Sequence, residues 1–200
     1  MKTRYPGRRS AALALSLSAF ALLSGCAMRL PQPITGYTCC NLRMHDGWIS
    51  SNNIQGGTLI SAGEPVKLDS MKRSFYVYGT IGSADVAMRD DSARTEADTQ
   101  RWLRQIVLGE DPHSQIAGWP IEVRGAVLAG RASIGMTRTQ VLTALGPPSP
   151  VDTPDRNAAS WRYWTALDDE PVDLFFGEDG RLSRFGGKGS HRQHYAPETR

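Results

Sequence analysis

Groups that build metal or disulfide frameworks are scarce in this chain, which has three cysteines and four histidines in 200 residues. There is no C-x-x-C pair to hold a structural zinc, and three cysteines are too few for a disulfide-dense scaffold. No apolar run reaches the ~20 residues of a spanning helix, which removes a helical multi-span protein from consideration. The sequence also lacks G-x-S-x-G, H-E-x-x-H and G-x-G-x-x-G, and with them the commonest hydrolase, zincin and dinucleotide signatures. Acidic residues are missing as well, from the start of the chain as far as Asp46.

What stands in that acid-free stretch is an export signal. Lys2, Arg4, Arg8 and Arg9 form a basic region ahead of the apolar run from Ala11 to Leu23, which ends in Leu23-Ser24-Gly25-Cys26. Basic, apolar and small-residue regions in this order make a signal peptide. The final tetrapeptide resembles the lipobox of bacterial lipoproteins, in which the cysteine takes up a diacylglycerol and an N-acyl chain. Cys26 is then the first mature residue, and two or more chains anchor the protein without spanning the bilayer. Ala27, where an Asp would retain such a protein in the inner membrane, resembles the lipoproteins sent on to the outer membrane. Removing residues 1–25 takes away four basic residues and no acidic one. The formal charge of +3 becomes 19 Lys and Arg against 20 Asp and Glu, so the basic balance carries no nucleic-acid reading.

The mature chain divides by period. Residues 26–36, with Pro31, Pro33 and Gly36, read as a lipidated tether. Residues 37–92 read as a small β-rich domain: Val66 and Leu68 alternate with Lys67 and Asp69, Phe75 to Tyr78 are aromatic and β-branched, and glycines punctuate the stretch. A small antiparallel sheet or partly closed, SH3-like barrel fits. Thr95 to Leu108 changes to a helical period, with Trp102 and Ile106 on the apolar face, and Glu110-Asp111-Pro112 stops it. Pro120 opens a second helix in which Val123 and Val127 stack. The third helix is the most clearly signalled: Thr137 and Gln140 form a capping box, Met136 and Val141 a staple, and Gly146-Pro147-Pro148 a stop. Strands follow at 160–165, 172–176 and 182–185, the last two joined by a Gly177-Glu178-Asp179-Gly180 turn. Residues 187–200 read as a flexible tail.

Gly135-Met136-Thr137, Gln140-Val141-Leu142, Leu145-Gly146-Pro147-Pro148, Trp161-x-Tyr163 and Phe176-x-x-Asp179-Gly180-x-Leu182, in that order, resemble the SmpA/OmlA (BamE-like) lipoproteins. The likeness covers about residues 120–186. It implies an α+β fold in which helices pack on a three-stranded antiparallel sheet, here preceded by a small β-rich part and a further helix within 93–186. It also implies a non-enzymatic, periplasm-facing outer-membrane lipoprotein whose partners are the membrane, through its lipid, and proteins of the β-barrel assembly machine. No cofactor is implied beyond the acyl chains on Cys26. The same compact fold occurs in secreted inhibitors, which makes an anchored module that binds cell wall, a small ligand or a foreign protein the second reading.

Other chemistry is thin. His191 and His194 stand three apart without a third ligand, so no metal site is expected. Gly186-Gly187-Lys188-Gly189 lacks the spacing and the hydroxyl of a phosphate loop. Cys39 and Cys40 fit buried thiols, a vicinal disulfide or a link to another chain, and a structural role is favoured over redox catalysis. Alternation along 160–165 puts Trp161 and Tyr163 on one face and Arg162 and Trp164 on the other, which makes the latter two the candidate partner contact. Asp168-Asp169-Glu170 reads as a solvated turn.

Overall fold

The computed structural model describes residues 28–164 and 171–187. The lipobox residues Leu23, Ser24, Gly25 and Cys26, the acidic run 168–170 and both tail histidines lie outside them.

The first part of the chain is a succession of short strands: β1 (Met28–Thr38), β2 (Leu42–Met44), β3 (Trp48–Ser50), β4 (Thr58–Ile60), β5 (Pro65–Lys72), β6 (Tyr76–Ile81) and β7 (Ala84–Arg89). Helix α1 (Glu96–Ile106) follows and runs directly into β8 (Val107–Leu108). Six strands form one curled sheet in the order β3-β7-β6-β5-β1-β8, antiparallel except for the β3–β7 pair, while β2 and β4 form a separate ladder. Alternation holds through the sheet: Val66 and Leu68, Val77 and Ile81, and Val86 and Met88 point inward and are buried. Gly79 is required where β6 crosses β5, since a Cβ there would come within 2.1 Å of the Lys67 carbonyl oxygen. Asp69 sits at the adjacent bulge, where the register slips between Leu68 and Ser70.

The second part holds α2 (His113–Ala117), α3 (Ile121–Leu128), α4 (Arg138–Leu145) and the antiparallel meander β9 (Ser160–Tyr163), β10 (Val172–Phe176) and β11 (Leu182–Phe185). The capping box on α4 forms as the sequence indicates: Gln140 N–H donates to the Thr137 hydroxyl, and Thr137 N–H to Gln140 Oε1 at 2.9 Å. Met136, Val141, Leu145, Trp161, Tyr163 and Leu174 make the second core.

The expected fold class is corrected by this arrangement. The protein is β-rich, with eleven strands and four short helices among the described residues, and its main element is the six-stranded half-barrel rather than helices packed on a three-stranded sheet. Two local causes account for the difference. Helix α1 buries Thr99, Trp102, Leu103 and Ile106 against the large sheet, and each of the three apolar side chains contributes roughly 1.5–3 kcal/mol there, so α1 completes the first core. Residues 28–36, expected as tether, are most of a strand. Pro31 and Pro33 cannot donate to a ladder, but they fall where β1 bulges away from β5 between Arg29 and Ile34, on the stretch that β8 does not reach.

Candidate functional site

The sequence-selected residues are placed apart from one another. Cys39 and Cys40 are joined as a vicinal disulfide in the turn after β1, 7% and 0% exposed, and the Cys39 amide donates to the Ile106 carbonyl at 2.9 Å. A buried disulfide offers no thiolate for nucleophilic attack. Arg162 and Trp164 do share the half-buried face opposite Trp161 and Tyr163, but each is engaged with its own partner. Arg162 forks onto Asp173 (Nε to Oδ1 2.8 Å, Nη2 to Oδ2 3.1 Å), and those hydrogen bonds hold its guanidinium proton more tightly than usual. Trp164 Nε1 donates to Asp152 at 3.0 Å, and its carbonyl accepts the Gln55 amide.

The residues that join the two parts of the molecule were not visible in the sequence. Helix α4 ends with carbonyls that have no helical partner. Three side-chain amides from the first part supply donors: Asn41 Nδ2 to Ala144 O at 2.9 Å, Asn53 Nδ2 to Leu145 O at 2.8 Å, and Gln55 Nε2 to Leu145 O at 3.0 Å. Asn53 also reaches Pro147 O, and Arg43 reaches Gly130 O at 3.1 Å. Gly146, at φ +78°, lets the chains approach this closely, because a Cβ there would meet Asn41 O at 2.7 Å. The amide-rich stretch Ser51-Asn52-Asn53-Ile54-Gln55 was the available signal, but its partners lie some 90 positions away.

Two concavities border α1, which contributes to the lining of both. A cleft of about 310 Å³ lies between α1 and the 147–156 loop, lined by Asp90, Asp98, Arg101, Trp102, Pro147 and Arg156. Its charges are occupied. Asp98 pairs with Arg101 at 2.8 Å, Asp90 accepts from Ser51 and Ser92, and Arg156, which burial pushes below the usual arginine range, donates to Gln105. A groove of about 440 Å³ runs between β1 and α1, with Leu30, Ile34, Met71, Leu103 and Val107 as its apolar lining and Glu96 and Arg104 at the rim. Among the described residues no group of three His, Cys, Asp or Glu side chains could hold a metal.

Two strongly exposed large apolar side chains are on α3, and others are Met28 at the start of β1 and Val151 in the loop after α4. Val127 faces the core, and Val123 packs against it from the partly buried side, as the stacking pattern indicates, while Ile121 and Leu128 are 69% and 70% exposed. Seven positions apart, they share one face of the helix with Gly125 between them. Ile134, on the loop that follows, is 55% exposed. The chain matches no family model, no curated protein and no solved structure.

Proposed function

We propose that this protein is a lipid-anchored, periplasm-facing outer-membrane lipoprotein that acts without catalysis, holding a protein partner as an accessory factor for β-barrel outer-membrane protein assembly or envelope integrity. The anchor is the diacylglycerol and N-acyl chain on Cys26, argued from the basic region, the apolar run and the lipobox. The order of motifs between Gly135 and Leu182 supports the assembly-machine partner. The observation that carries association is the α3 face: two large aliphatic side chains, Ile121 and Leu128, about two-thirds exposed on one helix face, are poorly placed for water and well placed for a protein surface. Replacing Ile121 and Leu128 together by Ser is expected to leave folding intact, because surface changes of this kind shift stability by about 0.5 kcal/mol or less. Co-purification with assembly-machine components from solubilised envelopes is expected to disappear. Unchanged co-purification would remove α3 from the reading.

A second reading has its own observation. The apolar β1–α1 groove falls within the size range of small-ligand sites, which favours an anchored binding module for an apolar molecule. An Ile34→Trp change that fills the groove is expected to abolish uptake of an apolar fluorescent probe. Undiminished uptake would dismiss this reading.

A further inference from the structure

The outward face of the large sheet carries two cross-strand rows that no role above uses. The register places Arg29 opposite Ser70, Ser70 opposite Tyr78, Tyr78 opposite Ala87 and Ala87 opposite Trp48. One step toward the sheet's end, Lys72 stands opposite Tyr76, Tyr76 opposite Arg89 and Arg89 opposite Ser50. Alternation turns both rows away from the core, since their neighbours Met71, Val77, Met88 and Ile49 are buried. The two rows therefore present three aromatic rings and three cations on one surface, with no carboxylate among them. Trp48 joins the two tyrosine rings. Trp48 meets Tyr76 and Tyr78 edge to face at 5.8 and 6.4 Å, and the Arg89 guanidinium lies over Tyr76.

Both signs of charge are present at this end, and three of the cations have no ionic partner among the described residues. Arg89 is neutralised by Asp91 at 3.0 Å, but Arg29, Lys72 and the exposed turn residue Arg73 form no ion pair among the described residues. Helix α1 is tied to the same turn through Thr99 Oγ1 and the Ser74 carbonyl and brings Arg94 and Glu96, one charge of each sign, with Asp98 paired to Arg101; the other carboxylates nearby are Asp69 beside Ser70 and buried Asp90, which accepts from Ser51 and Ser92. Chain direction fixes what lies beyond. Met28, 77% exposed, begins β1 at this same end, paired with Met71, and it follows Cys26 by two residues. Two residues of extended chain span at most about 7 Å, so lipid on Cys26 brings a bilayer surface to this edge.

We infer that the sheet end carrying Arg29, Lys72, Arg73, Tyr76, Tyr78 and Trp48 is the face on which the anchored protein rests against an anionic phospholipid surface. This rests on the lipid-anchor reading of Cys26. Aromatic rings with a polar edge settle at the headgroup level, and unpaired Lys and Arg side chains take phosphate partners there.

The test uses the mature, acylated protein in vesicles of phosphatidylethanolamine with phosphatidylglycerol brominated near the headgroup end of its acyl chains. Tryptophan emission is expected to be quenched, with Trp48→Phe losing about half of the quench or more, because Trp48 is the exposed indole on this face whereas Trp102 and Trp161 are buried. Arg29→Glu, Lys72→Glu and Arg73→Glu combined, all at exposed or half-exposed positions, is expected to reduce the quench to the Trp48→Phe level, as is high salt with the unaltered protein. A quench that is the same in all variants overturns the inference. So does a quench that is absent while charge reversal releases the protein from isolated cell wall, which would assign the face to a wall polymer. Mass spectrometry of Cys26 separates the two levels: an unacylated cysteine overturns the anchor and this face together, whereas an acylated protein without Trp48-dependent quenching overturns the face alone.

Discussion

Asn41 donates a hydrogen bond from Nδ2 to the Val127 carbonyl at 2.6 Å across 86 positions of sequence, joining the first core of the protein to the helix that carries its exposed apolar face. The same side chain donates to Ala144 O at 2.9 Å and accepts the Ala62 amide at 2.9 Å, so it satisfies three buried backbone groups at once.

Asn41→Ala should therefore be among the costlier changes available. It leaves the Ala144 carbonyl and the Ala62 amide without these partners and takes one of two donors from the Val127 carbonyl, which still accepts the Gly130 amide, so at about 1–3 kcal/mol for each stranded group a total near 3 kcal/mol is expected. Urea unfolding followed by circular dichroism measures it. A change in midpoint equivalent to less than about 1 kcal/mol would mean that water replaces the side chain.

Trp161 on β9 and Trp164 immediately after it test the two sides of this segment. Trp161 is 2% exposed and packs edge to face on Phe176 at 4.8 Å. Trp161→Ala is expected to cost about 3–5 kcal/mol. Half-buried Trp164 should cost about 1–2 kcal/mol on the same change. Equal losses in parallel thermal melts would show that both sides of the segment are core.

The pair Cys39 and Cys40 should be quiet in both redox states. A bridge between adjacent residues closes no chain loop, so reduction removes almost none of the unfolded-state restriction that makes disulfides stabilising. Reduced and oxidised protein are expected to differ by less than about 1 kcal/mol, and a maleimide should label neither cysteine until the protein unfolds. Rapid labelling of the native reduced protein would instead identify a reactive thiol.

Acid sensitivity should concentrate at the start of α1. The Arg94 amide, then the Arg101 guanidinium, then the Thr95 hydroxyl and amide, hold the Asp98 carboxyl well below the usual carboxylate range. The folded state then binds fewer protons than the unfolded chain as pH falls past the ordinary carboxylate pKa. The contribution of this carboxylate is present in full above about pH 4 and is lost progressively below it. Thermal melts between pH 6 and pH 2 should show a steeper decline for the unaltered protein than for Asp98→Asn. Parallel slopes would show that the cap does not couple to stability.

How much of this was legible in the sequence depended on how local each signal was. Helix α4 was readable because Thr137, Gln140 and the Gly146-Pro147-Pro148 stop act within a turn or two of one another, and the Trp161/Tyr163 alternation was readable for the same reason. Strand β1 was misread because Pro31 and Pro33 normally mark a linker, and only the bulge opposite β5 lets a strand carry them. The capping box on α1 went unseen because Asp98 stands where Glu or Gln is usual. The placement of α1 on the large sheet, which overturned the expected fold class, depends on surfaces that no window around residue 100 contains. The same holds for the amide clamp from Asn41, Asn53 and Gln55, and for Ile121 and Leu128, whose exposure is set by which face of α3 the core claims.

The most direct test of protein association is site-specific photo-cross-linking from position 128 in intact cells, with the adducts identified by mass spectrometry. An adduct with a component of the β-barrel assembly machine, lost when Ile121 is changed to Ser, is the predicted result. Adducts with no such component, or efficient cross-linking that Ile121→Ser leaves unchanged, would contradict the account.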